Sequence, residues 1–306
     1  MLMGTHAYDG DVRNENILIH INGELYPRRE AKVSVFDSGF LLGDGVWEGI
    51  RLHKGQLLFL SGHLTRLYDG AGAIDLDIGM TPESLTGRIR ETVEANGMET
   101  DVHIRLVVSR GLKATPFQHP AANVEGPTIV IIAEYKVASE ATQLKGIRLV
   151  TVDVRRGGPT DQDPRVNSLS KYTCISACIQ ADKAGADEAL MLDPNGYVST
   201  CNSTNFFVVR QGAVWTSTGQ YCLNGVTRAN VIRLCRENGL GITEGDYSLT
   251  EVYGAEEAFV TGTFGGVIPV MEVDGRPMGK GQRGRVTARI QGLYGALVEQ
   301  EAARGG

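Results

Sequence analysis

The chain has 306 residues, of which 42% are hydrophobic and 22% charged, and it carries a formal net charge of -6. That length favours two domains over one, and the composition supports a sizeable core. The acidic balance and the dispersed Lys and Arg residues exclude a phosphate-tracking nucleic-acid surface, and no apolar run approaches the roughly 20 residues that cross a bilayer. The opening residues MLMGTHAYDGDVRNEN are polar and contain no secretory h-region. Five cysteines without framework spacing suit a reducing compartment, so a cytoplasmic location is expected. Cys174 and Cys178 share a helix face, but no His or further Cys completes a ligand set, and no metal site is expected.

In chain order, Asn16 to Ile21 reads as a strand, and Asn22-Gly23 is a hairpin turn into Glu24-Leu25-Tyr26. Val46 to His53 alternates as a strand, Lys54-Gly55 turns the chain, and Gln56 to Leu60 returns it. Ser61 is the expected cap of a helix carrying His63, Arg66 and Leu67. A second helix starts at Thr81-Pro82-Glu83, with Thr as N-cap and Pro at the first helical position, and stops at Gly97. Val102 to Ser109 and Thr128 to Glu134 are strands, the latter a nearly continuous apolar run. The segment from Gly111 to Gly126 between them is long enough to suggest a functional or mobile loop. Residues 1–134 are expected to form a smaller α/β domain, 135–145 a polar linker, and 146–306 a larger domain. In that second part strands are expected at Ile147 to Val152, Glu188 to Leu192, Phe206 to Val209, Ala213 to Thr216 and Glu257 to Thr261. Helices are expected near Lys171, from Arg228 to Asn238, and from about Gln282 to the end.

Several short motifs are individually weak. Gly43-Asp44-Gly45 precedes a strand, so it reads as a turn and not as a phosphate loop, which opens a helix. Arg66 alone reads as a solvated helix charge, and so does Lys171. Asn224-Gly225-Val226-Thr227-Arg228 leads into a helix that Thr227 is placed to cap. Thr261-Gly262-Thr263-Phe264-Gly265-Gly266 has the small residues of a backbone nest. Together these provide a cationic clamp, two amide nests and an amine, the functional groups needed by a phosphorylated aldehyde cofactor.

The motifs FDSGFLLGDGVWEGIR, GHLTRL, ADEALMLDPNGYVS, NSTNFFVV, LNGVTR and TGTFGGVIPV occur in this order from about Ile17 to the terminal helix. In that arrangement the chain resembles the class IV aminotransferases, the fold-type IV pyridoxal-phosphate enzymes, and within them it is most similar to the branched-chain group. The resemblance implies an α+β architecture of two domains with mixed sheets, a pyridoxal 5′-phosphate cofactor and a homodimer. It implies amino transfer between an amino acid, best a branched-chain or other apolar L-amino acid, and a 2-oxo acid. Carried over by position, Arg66, Val226, Thr227 and Thr263 would bind the cofactor phosphate, and Tyr172 would stand beside its phenolic oxygen. Arg105 would hold the substrate carboxylate. His103, Trp47, Gly49, Phe264 and Leu42 would line the pocket, His103 standing where branched-chain enzymes have a tyrosine. Thr115 and Phe117 occupy the loop positions of the arginine and histidine in D-amino-acid enzymes, which weighs against that specificity.

Two departures fall at the centre of the motif set. The Schiff-base lysine of the family aligns with Asn167, and the nearest amine is Lys171, four residues on. The glutamate that pairs with the pyridine nitrogen aligns with Thr200, which can form a hydrogen bond but supplies no charge. The expected mechanism has Lys171 holding the cofactor as a Schiff base and moving the proton between Cα and C4′. The alternatives are a protein that keeps the fold and binds ligand without transamination, an aminodeoxychorismate-lyase-like enzyme, and a D-amino-acid-specific enzyme.

Overall fold

A computed structural model of the chain describes residues 4–6, 8 and 10–304. They divide into two compact units. One holds Gly10–Val137, Val166–Lys171 and the tail from Glu301, and the other holds Ala138–Arg165, Tyr172–Gln300 and the described part of Met1–Asp9.

The first unit begins with the hairpin β1 (Leu18–Ile21) and β2 (Glu24–Pro27). Its turn residues Asn22 and Gly23 both have positive φ, 49° and 97°, as a tight two-residue hairpin requires. A short helix α1 (Ser38–Leu42) follows, then β3 (Gly45–His53) and the two-residue β4 (Gln56–Leu57). Helices α2 (Leu60–Ala73) and α3 (Pro82–Ala95) precede β5 (Val102–Ser109) and β6 (Thr128–Tyr135). The strands form one antiparallel sheet in the order β2-β1-β6-β5-β3-β4. One face packs Ile50, Ile104, Leu106 and Ile131 against Leu64, Leu67, Leu85 and Ile89 of α2 and α3. The β5 burial pattern alternates accordingly, with His103, Arg105 and Val107 on the opposite, half-buried face.

One sequence expectation is corrected here. Helix α2 starts at Leu60, capped by Phe59 in a left-handed conformation, and not at a Ser61 cap. The segment from Gly111 to Gly126 carries side-chain hydrogen bonds of its own. The buried Lys113 donates to Asn123 Oδ1 at 2.9 Å, and Asn123 Nδ2 donates to the Arg110 carbonyl at 2.9 Å. Thr81 and Pro82 start α3 as the sequence indicates, with Thr81 accepting from the Ser84 amide.

The second unit contains α4 (Glu140–Lys145), β7 (Ile147–Thr151), α5 (Pro159–Gln162), α6 (Tyr172–Lys183), β8 (Glu188–Leu192) and β9 (Val198–Cys201). It continues with β10 (Asn205–Arg210), β11 (Ala213–Thr216), α7 (Val226–Glu237), β12 (Ile242–Glu244) and α8 (Leu249–Tyr253). It closes with β13 (Glu257–Gly262), β14 (Gly266–Val273), β15 (Arg276–Pro277) and α9 (Arg285–Ala303). The mixed sheet runs β12-β11-β10-β13-β14-β7-β8-β9, with β15 beside β14. Pairs β11–β12, β14–β7 and β7–β8 are parallel and the rest antiparallel. Ala177 and Ala181 of α6 pack with Val152, Ala189 and Met191, while Leu190, Phe206, Val208, Val260 and Ile268 belong to a separate larger cluster. The polar stretch expected as a linker carries helix α4, capped by Ser139, whose side chain accepts from the Thr142 amide. Strands β9 and β14 also lie outside the sequence expectations. β9 is polar, and β14 follows directly on a glycine-rich turn.

Candidate active site

In the first unit the site is built on β3. Because β4 pairs only with Leu52 and His53, the start of β3 has a free edge, and residues 167–169 fill it. Trp47 donates its amide to the Asn167 carbonyl at 3.0 Å, Leu169 donates to the Gly45 carbonyl at 2.9 Å, and Val46 bridges Ser168. Asn167 is therefore not helical, and α6 begins only at Tyr172. This corrects the expectation that Lys171 lies within a helix. Lys171 ends an irregular segment from which its side chain folds back. Its Nζ donates to Asn167 Oδ1 at 3.0 Å and lies 5.3 Å from the centroid of the Trp47 ring.

The Arg105 guanidinium stacks over the same Trp47 ring, 3.7 Å from the centroid. In the register of β3 and β5, Gly49 pairs with Arg105 and Trp47 with Val107, so these residues share the half-buried face. Burial lowers the Arg105 pKa from its ordinary value, while the charges of Glu134 and Glu48 oppose that shift. Gly49 makes room for His103: a Cβ there would stand 3.2 Å from both Cε1 and Nε2 of the imidazole.

On the opposite face of β3, Glu48 is fully buried and grips Arg66 with both oxygens. Arg66 Nε donates to Oε1 and Nη2 to Oε2, each at 2.7 Å, and His63 Nδ1 meets Oε2 at 2.7 Å. Burial would raise the Glu48 pKa, but the hydrogen bonds from His63 and Arg66, with the Arg66 charge, hold it below its ordinary value. Arg66 is thus a fixed guanidinium and not a solvated helix charge. Glu48 and His63 were not singled out from the sequence as site residues. The available signal was parity: Glu48 falls at an inward position of a strand whose neighbours Val46 and Ile50 are core residues.

In the second unit α7 begins at Val226, with Gly225 as a cap that makes no side-chain hydrogen bond. Thr227 is therefore the second helical residue and not the cap. The amides of Val226 and Thr227 are among the first-turn N–H groups without an intrahelical acceptor, and the helix dipole favours an anion there. Asn205 buttresses the turn by donating to the Leu223 carbonyl at 2.9 Å. A Cβ on Gly225 would come within 2.3 Å of Asn205 Oδ1, so only glycine leaves this cradle open. Thr263 lies half-buried in the turn between β13 and β14, next to Phe264, which is buried and stacks on His6. Thr200 is buried on β9 opposite Met191, and its hydroxyl donates to the Thr204 carbonyl at 2.7 Å. Tyr172 is 82% exposed and Leu42 is exposed on α1. Among the described residues no group of three or more His, Cys, Asp or Glu is arranged to hold a metal. No helix there is long and apolar enough to cross a membrane.

These features fit a phosphorylated aldehyde in part. The glycine cradle with the Val226 and Thr227 amides suits a phosphate, the fixed Arg66 is a cation suited to a dianion, and Lys171 supplies an amine. Thr200 offers only the lone pairs of a hydroxyl whose proton is already committed to the Thr204 carbonyl.

The family model for amino-transferase class IV matches residues 45–273. The chain is 40% identical over 286 residues to branched-chain-amino-acid aminotransferase-like protein 1 of Arabidopsis thaliana, covering 94% of this chain and 51% of that protein. It therefore spans about half the length of the first curated relatives it matches. A putative branched-chain-amino-acid aminotransferase of Methanocaldococcus jannaschii is 39% identical over 274 residues, with 89% and 93% of the two chains covered. The structure superimposes at a TM-score of 0.84 on the branched-chain aminotransferase of the archaeon Thermoproteus uzoniensis with norvaline. The two are 30% identical, and 94% of this chain and 96% of that chain are covered. A second solved branched-chain amino acid aminotransferase, from T.th. and with pyridoxamine 5′-phosphate, superimposes at a TM-score of 0.87. It is 32% identical, with 94% of this chain and 95% of that chain covered.

Proposed function

The chain belongs to the class IV aminotransferase family, and on that premise we propose that it is a pyridoxal 5′-phosphate-dependent aminotransferase. Its substrates on this reading are a branched-chain or other apolar L-amino acid and a 2-oxo acid. One observation carries the reading: the Lys171 amine is hydrogen-bonded to the side chain of Asn167, the residue standing where the family lysine aligns. An amine is supplied at that place although the residue there is not lysine.

When bound, pyridoxal 5′-phosphate supplies an aldehyde conjugated to an electron-withdrawing ring, which acidifies the substrate Cα proton. Lys171 Nζ would hold the cofactor through its aldehyde and would take and return the proton at the substrate Cα. Arg66, kept in plane by Glu48, and the amides of Val226, Thr227 and Thr263 bind the phosphate. Arg105 pairs with the substrate carboxylate, and Trp47, Gly49, His103 and Phe264 shape the apolar pocket. Tyr172 and Thr200 would line the cofactor ring. Thr200 brings no negative charge, so proton removal is slower than it would be with a carboxylate at that position. A homodimer, which the family resemblance supports, and a cytoplasmic location, which the unpatterned cysteines suit, complete the reading.

Borohydride reduction of the protein loaded with pyridoxal 5′-phosphate, followed by peptide mapping, tests this. The expected result is a phosphopyridoxyl group on Lys171, and in Asn167→Lys its transfer to position 167. No adduct on any lysine would sink the proposal. The Thr200 hydroxyl favours a second reading, a protein that binds the cofactor without transamination. In that case the adduct forms on Lys171, but no 2-oxo acid appears when amino acids are added.

A further inference from the structure

We propose that Asn167 is the positioning residue for the Lys171 amine, a role that rests on the reading of Lys171 given above. Asn167 is 4% exposed and is attached to β3 at two points. Its backbone carbonyl accepts from the Trp47 amide at 3.0 Å, and its Nδ2 donates to the Trp47 carbonyl at 2.7 Å. A carbonyl oxygen can only accept, so the carboxamide orientation is determined: Nδ2 faces Trp47 and Oδ1 faces Lys171. The oxygen so presented accepts from Lys171 Nζ at 3.0 Å.

The chemistry of this partner matters as much as its place. A carboxylate at the same distance would favour the ammonium form by charge, and the protonated amine is not a nucleophile. A neutral carboxamide oxygen fixes the position of Nζ while adding no net charge to hold its proton. The Trp47 ring borders the amine at 5.3 Å and carries the Arg105 guanidinium at 3.7 Å, while the indole Nε1 donates to the Ser168 carbonyl at 3.2 Å. The strand that anchors Asn167 therefore also orients the ring against which both cations stand. Asn167 acts through Lys171.

The test is the rate of adduct formation on Lys171 across a pH series, with pyridoxal 5′-phosphate as the probe. The amine adds to the aldehyde carbon, water leaves, and borohydride then delivers hydride. Labelling of the exposed Lys183 in the same sample is the internal reference. Asn167→Ala is expected to slow Lys171 labelling about tenfold relative to Lys183, because the neutral amine is no longer held in place by that hydrogen bond. Asn167→Asp is expected to move the midpoint of the pH profile up by about one unit, because a carboxylate now favours the ammonium. A purely structural Asn167 would not shift that midpoint, so the aspartate variant decides the matter if the alanine variant folds poorly. Unchanged rate and midpoint in both variants would overturn the positioning role. If the native protein labels Lys183 but never Lys171, the reading of Lys171 itself fails, which is a different result.

Discussion

At the scale of single residues, the site depends on a few contacts that a single substitution would break. Glu48 holds Arg66 and His63 in a buried cluster, so Glu48→Gln leaves a guanidinium short of its counter-charge. A destabilisation of about 3 kcal/mol is expected from urea unfolding at neutral pH. The pH dependence follows from the depressed carboxyl pKa. Its stabilisation is present above the unfolded pKa of the group and is lost as pH falls through the folded value. The gap between native protein and Glu48→Gln should therefore close on acidification below about pH 4. Gly225 is a second such residue. In Gly225→Ala the new Cβ displaces Asn205, and the affinity for pyridoxal 5′-phosphate is expected to fall about tenfold, a cost typical of overpacking. Titration with pyridoxal, which lacks the phosphate, should show little change in the same variant. Equal losses for both compounds would mean that Gly225 serves the fold and not the anion site.

At the scale of elements, the free edge of β3 explains why an irregular segment can present an amine accurately. Residues 167–169 borrow strand geometry from β3 without belonging to a continuous strand, and this leaves Lys171 outside α6. The hairpin β1–β2 carries a different liability. His20 is fully buried, and its Nε2 accepts from the Gly23 amide at 3.1 Å, so the ring must be neutral there. Burial lowers its pKa, with Glu91 opposing and Arg88 reinforcing the shift. Stability from this group is complete above the unfolded histidine pKa of about 6.5 and declines as pH falls through the lower folded value. The protection factor of the Gly23 amide against hydrogen exchange is expected to fall in acid, and His20→Gln should remove that dependence. An acid response that persists in the variant would place the cause elsewhere.

At the scale of the whole molecule, each unit has its own sheet and core, and the chain leaves and re-enters the first unit at Val166–Lys171. Arg66 and Lys171 belong to one unit, and Thr200, Val226, Thr227 and Thr263 belong to the other. A ligand that binds only the folded chain stabilises it by mass action, about 2.7 kcal/mol at a concentration one hundred times its dissociation constant. Calorimetry with saturating pyridoxal 5′-phosphate is expected to raise the unfolding temperature by about 5 °C. A Lys171→Met variant should lose most of that rise. No rise in the native protein would contradict the cofactor assignment as a whole.

The sequence by itself determined the elements that depend on local physics. The Asn22-Gly23 turn, the Thr81-Pro82 helix start and the alternation of β3 are legible because turn dihedrals, caps and strand periodicity act within a few residues. The ordered motifs also indicated the family, to which the matched residues 45–273 belong. The burial of Glu48 beside Arg66, the cap at Gly225 in place of Thr227, and the polar strand β9 were decided by tertiary contacts. So was the position of the Lys171 amine. Counting along a helix put it about 6 Å from the vacated position, yet the segment is not helical and the side chain folds back onto Asn167. A flexible lysine has no preferred endpoint in sequence; here the edge of β3 fixes Asn167, and Asn167 fixes the amine.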